Sequence, residues 1–381
     1  MFASAVSACV ALEWPGAPAA YDPHSKADPT VTNDTLDTFG PIDAVITWVD
    51  GNVAGHRRQR DRHIALARTP LHENAINPHR WASNDEILYC VRSIQTHAPW
   101  MRWIWIVVDG HRPDLSSLGP DVRAKVRFAV HDEIFGEFAD VLPTFNSLAI
   151  ESLLWRIEGL AERFLYFNDD VFLTAPLLPG DVFRGLSPVL RGRWVDYGAM
   201  AGDFAKRSDP AWFNHYMQIN AATLMGFGAK RLFAAAHVVH PMRRSVMSDL
   251  FARMPDAFAA NVGHRFRDLA QFLPQGLHNH ACIASGEAVI ETRTDHLHIR
   301  SGQAAEAARI SLSGMAQAGV RFLCVNDLPQ LEAVLPEARG WIDAAVGAGR
   351  AGLAADHGLA HRGHGGDVVI AGATGARRAS S

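Results

Sequence analysis

Apolar positions along the chain come in short β-branched or aromatic runs, each closed by acidic or turn-forming residues. IDAVITWVDG begins at Ile42 and ends on Asp50-Gly51, which predicts a first strand and its turn. The following stretch, 53–79, is polar and rich in His and Arg, and reads as a loop with a short helix. Ser83, three residues before Glu86, fits a capping box, so a helix is expected from about Asp85 to Thr96, stopped by Pro99. WIWIVVDG, ending on Asp109-Gly110, and KVRFAVHD, residues 125–132, supply a second and a third strand. SLAIESLLWRIEGL then shows helical spacing, capped by Asn146 or Ser147 and ended near Gly159.

That helix feeds RFLYFNDDVFL, residues 163–173, where an aromatic run climbs to Asn168-Asp169-Asp170 and turns apolar again. Beyond it, 180–230 lacks alternation and reads as an insertion, helical patterning dominates from His237, and VRFLCVND at 320–327 offers one more strand. Strands alternating with helices predict an α/β domain with a mostly parallel, Rossmann-like sheet flanked by helices and carrying a helical insertion. In such sheets ligands bind beyond the carboxyl ends of the strands. Asp50, Asp109, Asp132 and the Asp169/Asp170 pair all fall at predicted carboxyl ends, which puts an acidic site on one rim.

Composition narrows the class. The chain has 381 residues, a formal charge of −4 and no basic block, which argues against a nucleic-acid partner. Cys9, Cys90, Cys282 and Cys324 are scattered with no CxxC spacing and read as buried thiols of a reducing compartment, not as a disulfide framework. No apolar run is long enough for a membrane span, and the N-terminus lacks the basic start of a secretory signal, so a cytoplasmic location is expected. Residues 1–40 are expected to be a mobile arm, 41–335 a catalytic domain with a spacer at about 180–236, and 336–381 a C-terminal helix and a disordered tail.

Candidate chemistry concentrates at the acidic run. Two adjacent carboxylates raise each other's pKa, and a hard divalent cation such as Mg²⁺ or Mn²⁺ removes that cost with oxygen ligands. The competing reading is a solvated Asn-Asp turn. His240 is a candidate general base because imidazole titrates near neutrality. Arg80, Arg265 and Arg267 could clamp phosphate, whereas Arg184, Arg191 and Arg193 read as solvated surface charges. If extended, His278-Asn279-His280 and His296-Leu297-His298 each put two imidazoles on one face. Structural zinc wants four ligands, so surface or hydrogen-bonded histidines are the expectation there. The chain has no Walker A loop, no GxGxxG after its first strand and no GxSxG.

IDAVITWVDG, then NDEILYCVRSIQTHAPWMRWIWIVVDG with HDEIFGEF and LPTFNSLAIESLLWRIEGLAERFLYFNDDVFL, resemble the first two blocks of the Stealth proteins. HVVHPMRRSVM through HRFRD resembles their third block and RFLCVND their fourth, over roughly 41–328 with the spacer unmatched. The resemblance implies a nucleotide-sugar-transferase-like fold. It also implies transfer of a hexose-1-phosphate from a UDP-sugar to a hydroxyl of a polysaccharide, with release of UMP. By position it casts Asp169, Asp170, His240 and Arg267 as catalytic, with Asp169 and Asp170 holding Mg²⁺ or Mn²⁺. Arg80, Asn84, Glu86, Asn168, Asn326 and Asp327 would bind substrate. Capsule-type synthesis at the inner face of the membrane would make peripheral membrane association natural. A glycosyltransferase releasing UDP and a non-catalytic UDP-sugar-binding protein are the other readings.

Overall fold

The computed structural model describes residues 39–77 and 84–347. Residues 1–38 of the predicted N-terminal arm, the tail after 347, Cys9, Arg80 and Ser83 lie outside the described residues. Five strands form the main sheet in the order β3-β2-β1-β4-β9. Here β1 is Ile42–Thr47, β2 Ile104–Val108, β3 Val126–Val130 and β4 Arg163–Asn168, these four parallel to one another. Two short strands, β5 (Val171–Leu173) and β6 (Phe183–Arg184), come next, followed by β7 (Ser187–Val195) and β8 (Leu232–Ala235). β9 (His240–Arg243) runs antiparallel to β4 at the sheet edge. The remaining strands are β10 (Val289–Glu291), β11 (His296–Ile299) and β12 (Phe322–Val325).

Both faces of the main sheet are covered, which is why β1, β2 and β4 read as nearly unbroken apolar runs. On β1, Ala44 and Ile46 face one core while Val45 faces the other. The first core also takes in the helix Glu86–His97, the β11-β12-β5 sheet and the last helix. The second holds Phe164 and Tyr166 of β4 against helices from the C-terminal half.

Among the helices, α1 spans Ala54–Ala65, α2 Glu86–His97, α3 His131–Phe135 and α4 Ser147–Glu151. α5 (Phe213–Leu224), α6 (Arg244–Arg253), α7 (Pro255–Val262) and α8 (Pro274–Ala284) follow, then α9 (Ala305–Ser313), α10 (Leu328–Val334) and α11 (Ala338–Val346). α2 matches the predicted helix within a residue. α1 is longer than the short helix expected, because AGHRRQRDRHIA buries only His56 and so shows no apolar stripe. α4 stops at Glu151 although helical spacing continues. The Ser152 hydroxyl donates back to the Leu148 carbonyl at 2.8 Å, and the chain tightens into a 3₁₀ turn at Leu154–Arg156.

The spacer is not simply a helical insertion. It holds the nine-residue β7, which pairs with β6, β8 and β10. Nor is Arg191 a solvated charge. It lies on β7 only 4 % exposed and pairs with Asp295, its Nε 2.9 Å and its Nη2 3.0 Å from the carboxylate oxygens. Asp295 in turn accepts the backbone N–H of Arg321 through its carbonyl at 2.8 Å, tying β7 to the entry of β11 and β12. α11 packs on α2, with Thr96 and His97 bonded to its last carbonyls at 3.0 and 2.7 Å, so the C-terminal helix belongs to the first core. No helix among the described residues is long and apolar enough to cross a membrane.

Candidate active site

After β1 the chain adds β2 and β3 on one side, then crosses back to place β4 on the other side of β1. That reversal makes the carboxyl ends of β1 and β4 the topological switch point, where open α/β sheets leave a crevice for ligands. Thr47 and Asn168 are register partners at this point. Tyr166 ties them together. Its hydroxyl donates to Asn168 Oδ1 at 2.6 Å and therefore accepts from Thr47 Oγ1 at 3.1 Å. Asn168 is exposed, and the chain turns through Asp169 and Asp170 before entering β5.

The turn is held from a distant part of the sequence. β5 pairs antiparallel with β12, and the Val325 N–H donates to the Asp170 carbonyl at 3.0 Å. Asn326 follows immediately, and its Nδ2 donates to Asp170 Oδ2 at 2.7 Å. Burial, the neighbouring Asp170 and then Glu86 push the Asp169 carboxyl well above its usual range. Glu86, at the start of α2 and only 6 % exposed, is also raised, chiefly by burial and further by Asp170. Three carboxyls thus repel one another at a partly buried corner, raising Asp169 and Glu86. Carboxylate oxygens are the donor type a hard divalent cation takes, and its charge would offset that mutual repulsion.

His240 opens β9 opposite Tyr166, with the two rings nearly parallel and 6.3 Å apart. Burial lowers its pKa to about 4, so the imidazole is neutral at ordinary pH. Arg267 reaches the same region from the loop before α8. Its Nη2 donates to Ser147 Oγ at 2.5 Å. Burial pulls its pKa down, while the charges of Glu151, Tyr166 and Asp170 act against that pull.

Other predicted residues are placed differently. Asn84 gives its amide to Glu332 at 2.6 Å, and its backbone N–H donates to Glu86 at 2.5 Å. Asp327 caps α10, accepting from the Gln330 N–H at 3.2 Å, and with Asn326 it edges a cavity of about 300 Å³. Asp50 makes a local turn through the Asn52 N–H at 2.8 Å. Asp109 pairs with His56 Nδ1 at 2.9 Å. Arg265 is spent on backbone carbonyls of 140–143, which removes it as a phosphate clamp.

The two histidine pairs part company. His278 and His280 are on α8, not extended, and both are fully buried. His278 Nε2 accepts the Arg243 N–H at 2.9 Å and His280 Nε2 the Phe233 N–H at 3.0 Å, the hydrogen-bonded reading. His298 lies on β11 beside Cys324 of β12 and near His237, with its Nε2 2.6 Å from Asn326 Oδ1. His237, Tyr166 and Glu151 are not marked by sequence pattern, and Cys324 reads there only as a thiol of a reducing compartment. Their roles depend on contacts between segments that no local periodicity encodes.

Residues 80–187 match the family model described as Stealth protein CR2, conserved region 2. The chain belongs to the Stealth family. An exopolysaccharide phosphotransferase of Streptomyces coelicolor is 32% identical over 298 residues, covering 75% of this chain and 47% of its own length. The exopolysaccharide phosphotransferase CpsY of Mycobacterium tuberculosis is 28% identical, covering 83% of this chain and 56% of its own length. This Stealth protein therefore spans about half the length of the curated relatives it matches. Among solved structures, the galactosyltransferase LgtC with donor and acceptor sugar analogs aligns over 80% of this chain and 96% of its own, with 11% identity and a TM-score of 0.42. Mouse xyloside xylosyltransferase 1 aligns over 76% and 98%, with 10% identity and a TM-score of 0.37.

Proposed function

We propose that this chain transfers a hexose-1-phosphate from a UDP-sugar to a hydroxyl group of a polysaccharide, leaving a phosphodiester and releasing UMP. The observation that carries the reading is the meeting of Asn168, Asp169 and Asp170 with Asn326 at the switch point of the sheet. The curated relatives named exopolysaccharide phosphotransferases support it.

In this mechanism an acceptor oxygen attacks the β-phosphorus in line. The bond from that phosphorus to the bridging oxygen breaks, and UMP leaves with the bridging oxygen. His240 takes the acceptor proton on its imidazole, whose neutral form burial favours. Arg267 offsets charge on the transferring phosphoryl group, as guanidinium groups do in phosphoryl transfer. Asp169 and Asp170 would hold Mg²⁺ or Mn²⁺, which supplies charge neutralisation for a bound diphosphate. Asn326 orients Asp170, Asn168 offers its exposed amide to the donor, and Glu86 closes the acidic corner.

The decisive experiment is nucleotide release. Protein mixed with UDP-sugars, Mg²⁺ or Mn²⁺ and capsule-type oligosaccharides should form UMP in proportion to acceptor. Formation of UDP instead would mean attack at the anomeric carbon and would overturn the reading.

A further inference from the structure

We propose that His237, His298 and Cys324 bind a zinc-class divalent metal ion, at a site separate in ligand chemistry from the neighbouring carboxylates. One potential ligand atom from each residue lies within 4.8 Å of the others. The three come from different elements: His237 precedes β9, His298 is on β11, and Cys324 is on β12. His298 and Cys324 are register partners on adjacent parallel strands, so their side chains leave the sheet on the same face. His237 closes over them with its ring 4.1 Å from that of His298.

A tetrahedral zinc ion with ordinary Zn–N and Zn–S bonds holds its ligand atoms roughly 3.3–3.8 Å apart. Side-chain adjustments of about an ångström would bring this trio to that spacing. One neighbour already prepares His298. Asn326 spends its Nδ2 on Asp170 at 2.7 Å, so the oxygen of the same amide faces His298 Nε2 at 2.6 Å and accepts its proton. This leaves the Nδ1 lone pair of His298 for a metal, the arrangement by which outer partners set the tautomer of a ligating imidazole. The same amide nitrogen lies 3.6 Å from Cys324 Sγ.

A thiolate and two imidazoles favour zinc, cobalt or iron over magnesium, whereas the carboxylates of Asp169 and Asp170 have the opposite preference. Three protein ligands leave a fourth position, and the exposure of His237 opens it to water or a substrate oxygen. Asn326 bridges the two kinds of site. The competing account is that the imidazoles merely stack and Cys324 is a buried packing residue. That account requires no metal affinity.

The test uses the full chain, stripped with a chelator and titrated with Co²⁺, and does not depend on the phosphotransfer reading. The expected result is one equivalent of Co²⁺ giving tetrahedral visible bands and a thiolate-to-cobalt band in the near ultraviolet, displaced by zinc. Cys324→Ser should abolish the thiolate band, and His237→Gln, a surface change that leaves the core intact, should lower affinity. Asn326→Ala should weaken binding by roughly 10–100-fold while keeping all three ligands. A folded wild-type chain without the thiolate band, or a band that persists in Cys324→Ser, would overturn the proposal. So would unchanged cobalt affinity in His237→Gln.

Discussion

Asp169 carries an electrostatic cost that can be measured. Its folded pKa is raised, so below the usual carboxylate range both folded and unfolded forms are protonated. As pH rises past the unfolded value, only the native state holds the proton, and stability falls. At neutral pH the residue therefore destabilises the metal-free fold. Asp169→Asn should raise the melting temperature of metal-free protein by about 2 °C or more. It should also erase any thermal shift caused by Mg²⁺ or Mn²⁺ and cut turnover by a factor of about 10² or more. Paired thermal melts with and without metal check this; a destabilised Asp169→Asn would show that the carboxyl is not crowded. For His240 the working form is the neutral ring, lost by protonation as pH falls through about 4. Protonation of His240 should then enter the acid limb of kcat/KM only near that value, below the limb set by the raised carboxyl of Asp169, and His240→Gln should lose about 10²–10⁴-fold in rate. A rate in His240→Gln within a few-fold of the wild type would remove His240 from the base role.

At the scale of elements, the Arg191–Asp295 pair joins the spacer sheet to the strands that deliver His298, Cys324 and Asn326. Removing one partner leaves a buried charge, so Asp295→Ala should cost about 3–5 kcal/mol, read by urea melts. An effect below 1 kcal/mol would mean that water reaches Arg191 freely. Sequence pattern failed here for a physical reason. An arginine in a polar stretch looks solvated unless its acid, some hundred positions later, is known to face it. The main sheet was legible because both of its faces are buried, so its strands announce themselves as apolar runs. Asn168-Asp169-Asp170 was legible because it interrupts such a run. His278 and His280 were harder to place, since a His-x-His spacing looks the same until the helix opened by Pro274 is known.

The whole molecule buries several imidazoles that are neutral when folded. His131, His278 and His280 each have their pKa lowered to about 4 by burial. Between the unfolded value and about 4, the unfolded chain binds protons that the folded one refuses, so stability is full above that window and falls with acidification. Each such group contributes about 1.4 kcal/mol per pH unit within the window. Melting temperature should therefore drop steeply from pH 6.5 to 4.5, with a shallower slope in His280→Gln. A flat profile would contradict the burial. The clasp between Asp170 and Asn326 spans 156 residues of chain. During synthesis the acidic turn leaves the ribosome long before its partner amide exists. The clasp that holds the acidic turn therefore forms only once Asn326 has emerged. A chain stopped before Asn326 would leave Asp170 without that clasp, and the transfer proposed above should be lost.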